Sequence, residues 1–393
     1  MPDFLYIHIP FCIRKCLYCD FLSVPYNKSL ADAYISALCR ELHLKNHLVL
    51  RLQTIFVGGG TPSLLSEDCL NQLFKCLRTN FIFSDNIEIT VEANPATLSR
   101  SKIDLLLSNG VNRLSIGVQS FNDTELKALG RIHSSREAFD SIDLILKTGL
   151  KNISLDLMYG IPGQTMKTWQ ESSSKAVGLS PSHISAYELT PEKGTQLYEL
   201  INTSKKNPPI PPLSKGGEGG FSDKIIMPDE GLALSMYDHA IDYFSSCGYE
   251  HYEISNFALP GFRCRHNLNY WDRGQYIGAG AGAHSFINGA RSKNTEDINK
   301  YIEILNYGTI PEVESSIVTS EEALKEFIFL GLRKTGGISI AESENSGLDI
   351  IEACKELIDE GFFEVQGDFL RLSRKGLPVS NAIIVKLFER LGF

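Results

Sequence analysis

The chain lacks a long apolar run. No uninterrupted hydrophobic stretch approaches the roughly 18 residues that a membrane-spanning helix needs, and no charged-then-apolar leader follows Met1. These absences lead us to expect a soluble, cytoplasmic protein. An excess of positive charge is also lacking: 38 Lys and Arg face 47 Asp and Glu, which gives a net charge of −9 and no reason to expect nucleic acid as a partner.

The cysteines lack the paired spacing of a disulfide framework. There are nine of them, an odd number that fits a reducing compartment better than a secreted chain. Five stand at scattered or apolar positions and are predicted to fill small spaces in the core: Cys39, Cys69, Cys76, Cys247 and Cys354. The 393 residues, 43% apolar and 22% charged, suffice for one barrel-sized domain and a smaller one.

The most informative stretch is YIHIPFCIRKCLYCDF, from Tyr6 to Phe21, where Cys12, Cys16 and Cys19 have a C-x3-C-x2-C spacing. Three thiolates on one loop can bind three irons of a cubane iron–sulfur cluster, and no fourth cysteine lies within reach in sequence. One iron is then open to chelation by amino and carboxylate groups. S-adenosylmethionine is the cofactor that makes this arrangement chemically useful.

Two other interpretations of the three cysteines stay open at this point. One is a zinc site with His8 or a distant residue as the fourth ligand, and the other is three unrelated buried cysteines. The context favours the cluster, since the loop follows a predicted strand at Leu5–Ile9 and precedes a predicted helix from Ser29 to Leu50. Tyr18, beside the last cysteine, can shield a cluster from water and oxygen.

Strand and helix patterns alternate from the N-terminus to about Ile254. The predicted strands are Leu5–Ile9, Thr54–Val57, Ile87–Glu92, Arg113–Val118, Asn152–Met158, His183–Glu188 and Tyr249–Ile254. Such repetition predicts parallel strands joined by crossover helices. Six or seven units are too few for an eight-fold barrel, so we predict an α/β fold with a partial, open parallel β/α barrel. Reactive groups then gather at the C-terminal ends of the strands.

The run YIHIPFC-x3-C-x-YC, together with GGGTPS from Gly58 to Ser63, resembles the radical S-adenosylmethionine superfamily. Within it, the chain resembles the oxygen-independent coproporphyrinogen III oxidase family and its branch of heme chaperones. The resemblance covers essentially the whole chain and implies the same partial barrel. The porphyrinogen-oxidising members carry another cysteine two residues after the third, where this chain has Phe21. That departure points to the chaperone branch.

The resemblance also implies a set of site residues. Cys12, Cys16 and Cys19 would hold a [4Fe-4S] cluster. S-adenosylmethionine would be bound by Tyr6, Tyr18, Gly59, Gly60, Thr61, Glu92, Gln119, Arg131 and Asp156. A glycine triplet alone is only a tight turn, but at a strand end it lets a ligand approach the backbone. For the charged residues the structural alternative is a buried ion pair between Arg131 and Glu92 or Asp156, which is compatible with ligand binding.

A second constellation runs from Cys264 to Phe286. His266 is a potential axial ligand for heme iron, and Tyr270 and Trp271 offer flat apolar faces. Three arginines are candidates for the propionates: Arg263, Arg265 and Arg273. From residue types alone, a core histidine beside aromatics is the better interpretation. The resemblance reverses it, because HNLNYW matches an HNxxYW signature that implies heme binding by His266, Asn267, Tyr270 and Trp271. C-x-x-C-H is absent, so c-type attachment is not suggested.

Proline and glycine dominate the segment Asn207–Phe221, which we predict to be a flexible surface insertion. Helical spacing resumes from Asp229 to about Cys247. The tail has predicted helices at Ser320–Lys334, Leu348–Glu360 and about Val379–Leu391, with a hairpin at Gly367-Asp368. This order suggests a winged-helix-like α+β module. From Ser320 to Phe393 nine Lys or Arg face 13 Asp or Glu, a balance of −4, so a lid or partner surface is expected rather than DNA binding.

These observations predict three regions: a barrel at 1–256, a connecting region with the heme motif at 257–315, and a C-terminal module at 316–393. By resemblance the protein is a heme chaperone that carries a [4Fe-4S] cluster and S-adenosylmethionine and passes heme to acceptor proteins, with respiratory hemoproteins at the membrane as one candidate class. Oxidative decarboxylation of coproporphyrinogen III is the alternative. Phe21 and the mere five residues ahead of Tyr6 disfavour that enzyme activity. A zinc-stabilised interaction module is the second alternative.

Overall fold

The computed structural model describes residues 1–206 and 226–393, and side chains are described except at 203–225. The predicted insertion 207–221 therefore lies outside the described residues. The strands are β1 (Phe4–Ile9), β2 (Phe11–Cys12), β3 (Val24–Pro25), β4 (Leu52–Gly59), β5 (Phe83–Ala93), β6 (Arg113–Gln119), β7 (Ile153–Tyr159), β8 (His183–Glu188), β9 (Glu250–Glu253), β10 (Asn256–Ala258), β11 (Ile277–Ala279), β12 (His284–Ile287), β13 (Ala290–Asn294), β14 (Glu312–Ile317), β15 (Ile338–Ser339), β16 (Phe363–Gln366) and β17 (Phe369–Leu372).

The helices cover most of the connections between the strands. They are α1 (Lys28–Lys45), α2 (Glu67–Asn80), α3 (Arg100–Ser108), α4 (Asp123–Ala128), α5 (Ser135–Leu146), α6 (Met166–Gly178), α7 (Gln196–Lys206), α8 (Glu230–Ser246), α9 (Arg265–Trp271), α10 (Ile298–Asn306), α11 (Ser320–Gly331), α12 (Ile340–Asn345), α13 (Ile350–Asp359) and α14 (Ser380–Leu391). None of the helices within 1–206 and 226–393 is both long and apolar enough to cross a membrane.

A nine-stranded sheet forms the barrel, in the order β11-β1-β4-β5-β6-β7-β8-β10-β9. Every pair from β11 to β8 is parallel, as the alternating pattern predicts. The order is linear, with β11 and β9 as its two edges in the described residues, so the partial, open barrel is confirmed. The seventh predicted strand, Tyr249–Ile254, is placed differently. A turn at 254–255 returns the chain as β10, which pairs antiparallel with both β8 and β9.

Side chains alternate along the barrel strands, and this alternation separates the core from the interior. On β1, Leu5, Ile7 and Ile9 are fully buried in the main hydrophobic cluster, whereas Tyr6 and His8 lie on the opposite face. In a parallel sheet that is apolar on both faces, the sequence of each strand is a continuous run of apolar residues. Here the inward face is largely polar, and these inward residues line an inner cavity: Tyr6, Phe56, Glu92, Arg113, Ser115, Asp156, His183, Ser185 and Tyr187.

The middle region is integrated with the barrel by β11, which pairs with β1. A buried carboxylate, Glu41 on α1, fixes this junction. It accepts hydrogen bonds from the Gly280 amide (2.8 Å), the Asn294 side chain (2.7 Å) and the Tyr301 hydroxyl (2.5 Å), and forms an ion pair with Lys45 (2.6 Å). A buried ion pair with all its hydrogen bonds made specifies one arrangement of the segments that it joins. The three predicted region boundaries stay a prediction.

The C-terminal region consists of helices and the three-stranded antiparallel sheet β15-β17-β16. The predicted helices and hairpin are present, and β15 and α12 are additional, which gives the helix–strand–helix–helix–hairpin order expected of a winged-helix-like module. Ion pairs fasten it to the rest of the chain. Arg374 contacts Asp238 (2.8 Å) and Asp242 (3.0 Å) on α8, so the module is held against a barrel helix.

Candidate functional site

The cluster loop lies at the C-terminal end of β1, where the barrel geometry places reactive groups. Hydrogen bonds hold it against neighbouring loops: Leu17 donates its amide to Leu129 O (3.1 Å), and the Arg14 guanidinium donates to Gly130 O (2.9 Å). All three thiols, at Cys12, Cys16 and Cys19, line one cavity of about 570 Å³. This volume is within the roughly 300–1,000 Å³ usual for ligand sites.

In the described residues no group of three or more His, Cys, Asp or Glu side chains forms a ready-made site for one metal ion. A cubane cluster would take each thiolate on a different iron at a separate corner, whereas zinc ligands share one centre. Burial raises the pKa of the Cys19 thiol to about 11, so its deprotonation needs a cationic partner such as iron.

Both ring nitrogens of His8, the alternative zinc ligand, already make hydrogen bonds. Its Nε2 lies 2.9 Å from Leu22 O and must carry the proton, which leaves Nδ1 to accept a hydrogen bond from the Tyr6 hydroxyl (2.9 Å). Burial lowers the pKa of His8, so the neutral ring in this arrangement is the stable form. His8 therefore positions Tyr6 and the end of the cluster loop. It does not offer a free lone pair to a metal.

The glycine loop follows β4 and packs against the cluster loop. The Gly60 amide donates to Ile9 O and the Thr61 amide to Phe11 O, both at 2.8 Å. A Cβ on Gly59, whose φ is +110°, would lie 2.5 Å from the His8 ring, and one on Gly60 would lie 2.7 Å from Phe11 O. The glycines are thus required for packing of the two loops. Gly59→Val would therefore disturb the contact between the two loops as well as the approach of a ligand.

Two half-buried carboxylates, Glu92 on β5 and Asp156 on β7, line both cavities. Burial, with the charge of Asp156 added, raises the pKa of Glu92 to about 8, although Glu92 accepts a hydrogen bond from the Gly59 amide (3.1 Å). Burial raises the pKa of Asp156 to about 6, against hydrogen bonds from Ser185 and Ser115. Neither carboxylate has a Lys or Arg within 4.0 Å in the described part of the chain. Arg113 and Arg131 lower the pKa of Asp156 from beyond that distance, so in the described residues Glu92 is the acid that lacks a cation and is better suited to a cationic ligand.

Gln119 and Arg131 complete the wall of the larger cavity. Gln119 ends β6 at a bulge and has φ of 67°, a left-handed conformation that is uncommon outside glycine and concentrates at functional sites. Gly117 makes room, because a Cβ there would lie 3.1 Å from the Gln119 amide and 3.2 Å from Arg131. Arg131 donates to Gly117 O (2.5 Å) and to Cys16 Sγ (3.5 Å).

Arg131 therefore contacts the cluster loop, at Cys16. The alternative of an ion pair with Glu92 or Asp156 is not found, since neither carboxylate lies within 4.0 Å of it in the described residues. Tyr18 also faces this guanidinium and lines the same cavity, and burial raises the pKa of its hydroxyl. A guanidinium beside Cys16 can balance the negative charge of thiolates. The structure thus brings every predicted S-adenosylmethionine residue to the larger cavity except Tyr6, which lines the inner one.

The predicted heme residues lie at the other end of the barrel. α9 packs on the start of β4, where His266 is 1% exposed, with Nδ1 2.7 Å from the Thr54 hydroxyl and Nε2 2.9 Å from the Tyr270 hydroxyl. Its ring stacks on Phe56 at 5.2 Å. Burial lowers the pKa of His266 to about 3. In this conformation His266 is a satisfied core histidine, the interpretation that residue types alone favoured.

The remaining heme candidates lie in different surroundings. Asn267 lines the inner cavity, and the Arg333 guanidinium lies 4.7 Å from the centre of the Trp271 ring. The three arginines proposed for propionates are engaged elsewhere: Arg263 with Glu250 (3.0 Å), Arg265 with Asn86 O (2.7 Å) and Arg273 with Glu326 (2.7 Å). These contacts do not assemble an open macrocycle site. The heme assignment stays a prediction that requires α9 to rearrange.

Phe21 is exposed at 62% and lines both cavities. Sequence reasoning used this residue as a branch marker and missed its neighbours in the inner cavity, Arg113, His183 and Cys264. The signal was available, because inward positions alternate along β6 and β8 and an arginine at such a position needs a polar interior. The inner cavity measures about 230 Å³.

An open parallel barrel with a polar interior and a three-cysteine loop at its C-terminal end defines a protein of the radical S-adenosylmethionine superfamily. The radical SAM superfamily model matches residues 6–176, and the HemN C-terminal domain model matches residues 318–379. The solved structure of coproporphyrinogen III oxidase (HemN) from Escherichia coli superposes with a TM-score of 0.81 at 20% identity, covering 98% of this chain and 90% of that one, which shows the shared fold.

Curated relatives resolve the family further. The heme chaperone HemW of Bacillus subtilis is 37% identical over 96% of this chain and 97% of its own length. The HemW proteins of Lactococcus lactis (34%, covering 100% and 99%) and Synechocystis (35%, covering 100% and 97%) are similar over the same extent. The chain belongs to the HemW family of heme chaperones.

Proposed function

We propose that the protein binds heme and transfers it to acceptor proteins in the cytoplasm, while Cys12, Cys16 and Cys19 hold a [4Fe-4S] cluster. The observation that carries the proposal is the full-length similarity to HemW chaperones combined with Phe21 where the oxidases carry a cysteine. That all nine cysteines are free supports a reducing compartment. The acceptors are proposed to be hemoproteins.

S-adenosylmethionine is proposed to occupy the larger cavity. Its sulfonium and ammonium charges suit the two carboxylates, Glu92 and Asp156, and its amino and carboxylate groups suit an open iron beside the thiols. The bound cofactor would supply a radical precursor when the cluster is reduced. The chain's own part is to orient it: the Gly59 amide holds Glu92, Arg131 faces Cys16, and Gln119 lines the same cavity.

For heme, His266 can become an axial ligand only after one ring nitrogen is released from Thr54 or Tyr270. What supports the assignment is the HNLNYW motif; the closed geometry makes binding conditional on movement of α9. We propose that heme binding involves this opening. The proposal separates the heme region from the cluster, since α9 lies at the start of β4 and the cluster loop at the C-terminal end of β1.

The test of the proposal uses anaerobically purified protein, titrated with heme and assayed in parallel for 5′-deoxyadenosine and for decarboxylation of coproporphyrinogen III. A chaperone should bind heme and leave the porphyrinogen unchanged. A matched variant with Cys12, Cys16 and Cys19 changed to alanine should lose iron and the broad visible absorption of thiolate-to-iron charge transfer. Stoichiometric zinc without iron in the wild type would reject the cluster and support the interaction module.

A further inference from the structure

A second group of cysteine residues lies on the outside of the barrel, where helices α1 and α2 pack together. Cys39 on α1 and Cys76 on α2 are both half-buried, and they lie close enough for each thiol to shift the pKa of the other. The Cys76 sulfur also lies 3.5 Å from the Cys39 carbonyl oxygen, and the Cys39 sulfur lies 4.0 Å from the carbonyl oxygen of Gln72, one turn before Cys76. The two helices thus bring this pair together, although the sequence pattern suggested isolated core fillers.

An amide is fixed beside the pair. The Asn80 side chain donates to the Cys76 sulfur (3.4 Å) and to the Cys76 carbonyl (2.9 Å). Its oxygen accepts from His43 Nδ1 (2.9 Å) and from the Asn46 amide (3.4 Å), so two donors on the oxygen hold the NH2 group towards the sulfur. The Asn80 amide thus offers a fixed hydrogen-bond donor to the Cys76 sulfur.

The two thiols are made unequal by these contacts. The hydrogen bond from Cys39, helped by the one from Asn80, lowers the pKa of Cys76, whereas the bond to Cys76, with burial added, raises the pKa of Cys39. A thiolate is the form that reacts with oxidants, and a second thiol in contact can resolve the product. Cys76 is therefore the more acidic thiol of the pair. Both are half-buried rather than enclosed, so small oxidants have access.

We propose that Cys39 and Cys76 form a reversible disulfide when the protein meets peroxide. The Cys76 thiolate attacks one oxygen of hydrogen peroxide, the O–O bond breaks, and a sulfenic acid and hydroxide result. The Cys39 thiol then displaces water from that sulfenic acid as the S–S bond forms. In sum, two thiols and one peroxide give one disulfide and two waters, with the sulfurs losing two electrons and the peroxide gaining them.

The position of the pair determines which elements the disulfide would join. α1 follows the cluster loop and α2 follows the glycine loop, so a disulfide would tie together the helices behind the two loops that build the cofactor site. Oxygen and peroxide damage clusters of this kind first. A link formed under the same conditions would stabilise the first units of the barrel by restricting the unfolded chain.

The experiment treats the full-length, cluster-loaded protein with excess hydrogen peroxide, then alkylates free thiols and maps peptides by mass spectrometry. A peptide pair linked through Cys39 and Cys76 should appear, and a reductant should release it. The same linkage should form when Cys12, Cys16 and Cys19 are alanine, where no cluster consumes the peroxide. The oxidised protein should melt at a higher temperature than the reduced one in that background.

Variants assign the roles. Cys39→Ser should leave a sulfenic acid at Cys76 that dimedone traps, and Asn80→Ala should slow the linkage roughly threefold or more, as expected for loss of one hydrogen bond. Cys247→Ser is the matched control, because Cys247 is also half-buried but contacts the Ser246 hydroxyl at 4.0 Å, and it should not change the linkage. Complete alkylation of Cys39 and Cys76 after peroxide in both backgrounds, or a disulfide from either to another cysteine, would overturn the proposal.

Discussion

Glu92 is the residue whose charge state links the barrel interior to the proposed cofactor. Its carboxyl group lies at the C-terminal end of β5 and faces Asp156 inside the barrel. Burial raises the pKa of Glu92 to about 8. An acid with that pKa is mostly protonated at neutral pH. A cationic ligand favours the ionised form, so binding should draw the proton off. The affinity for S-adenosylmethionine should therefore depend on pH through the ionisation of Glu92.

Replacing Glu92 with glutamine tests the coupling at nearly constant shape. The variant keeps an oxygen for the Gly59 amide but loses the charge, and a hydrogen bond to a charged group is worth about 1.5–3 kcal/mol. We expect S-adenosylmethionine affinity to fall roughly tenfold or more, with iron content unchanged. Isothermal titration of the anaerobic protein measures it, and equal affinity in the variant would show that the cofactor lies elsewhere.

The pH dependence has a definite sign. In the ligand-free protein Glu92 loses its proton as pH rises through about 8, and Asp156 as pH rises through about 6. Since a cation binds the ionised carboxylates better, affinity should increase from pH 6 upward and level off above pH 8. Between pH 7 and 8.5 the Glu92→Gln variant should show a flatter profile. An affinity that falls over this range in the wild type would contradict the assignment.

At the residue scale, spacing predicted the cysteine loop as a candidate site, and the structure places its three thiols around one cavity. Spacing did not reveal why Gly59 and Gly60 are needed. Their reason is contact with His8 and with the Phe11 backbone, which are distant in sequence. It also could not show that both nitrogens of His8 are taken. Such facts depend on the register of β1 against β4, and register is a tertiary property.

α9 is the element on which the heme assignment depends. Both ring nitrogens of His266 are hydrogen-bonded, one to Thr54 and one to Tyr270. Removing a hydrogen-bond partner and removing the ring should therefore have opposite effects on heme binding. His266→Ala should lower heme occupancy while leaving the iron–sulfur cluster intact. Tyr270→Phe, the matched control, releases Nε2 while keeping the aromatic face, and should preserve or raise heme affinity. Both are read from heme titration and iron content.

Two results would count against this ligand. If heme binding is unaffected by His266→Ala, the iron ligand lies elsewhere, and the family assignment stands. If both variants lower the melting temperature and heme occupancy alike, α9 has a structural role. A stability cost is expected in either variant, since an unpaired buried polar group costs about 1–3 kcal/mol. The comparison of the two variants separates that cost from ligation.

The proline- and glycine-rich insertion, which falls between α7 and α8 and outside the described residues, supports an independent prediction. Deleting Pro208 to Gly220 should change the free energy of unfolding by less than about 1 kcal/mol, because loop closure depends weakly on loop length. Heme binding should survive. Chemical denaturation measures the change, and a large loss of stability or of heme would mean that the segment packs against the site.

Among the elements, long crossover units were predictable and short strands were not. Six parallel strands follow from apolar positions separated by helical patterns, and caps such as Asn27 before α1 fix where helices begin. β10, β11 and β15 have two or three residues each, too few for any periodicity. The strands that they pair with are determined by the tertiary structure, as in the pairing of β11 with β1. The predicted helix to Leu50 ends earlier, at Lys45, where a 3-10 turn at Asn46–Leu48 follows.

At the scale of the whole molecule, the C-terminal module is fastened by ion pairs on one side of the barrel. Glu326 on α11 contacts both Arg273 (2.7 Å) and Arg291 (2.8 Å), which ties the module to the middle region. A net charge of −4 over Ser320 to Phe393 does not suit a phosphate backbone. The module therefore completes a folded unit with the barrel, and heme transfer must be tested on the intact chain.

The last prediction separates chaperone from oxidase on that intact chain. The wild-type protein should bind heme yet form no protoporphyrinogen from coproporphyrinogen III under reducing, anaerobic conditions with S-adenosylmethionine present. Decarboxylation would need a flexible porphyrinogen whose propionate lies at near-attack distance from the radical carbon. The inner cavity of about 230 Å³ is smaller than the roughly 300 Å³ at which ligand pockets usually begin.

The cavity mouth instead presents Phe21, a bulky exposed ring where the oxidases have a cysteine. Phe21→Cys is the informative companion, because it restores that cysteine and leaves the three cluster thiols untouched. It should retain the cluster and heme binding and still lack oxidase activity, since one side chain cannot by itself rebuild the alignment of a substrate. Protoporphyrinogen formed by the wild type would overturn the chaperone assignment. Activity in Phe21→Cys alone would show that this single position, and not the shape of the barrel interior, divides the two functions.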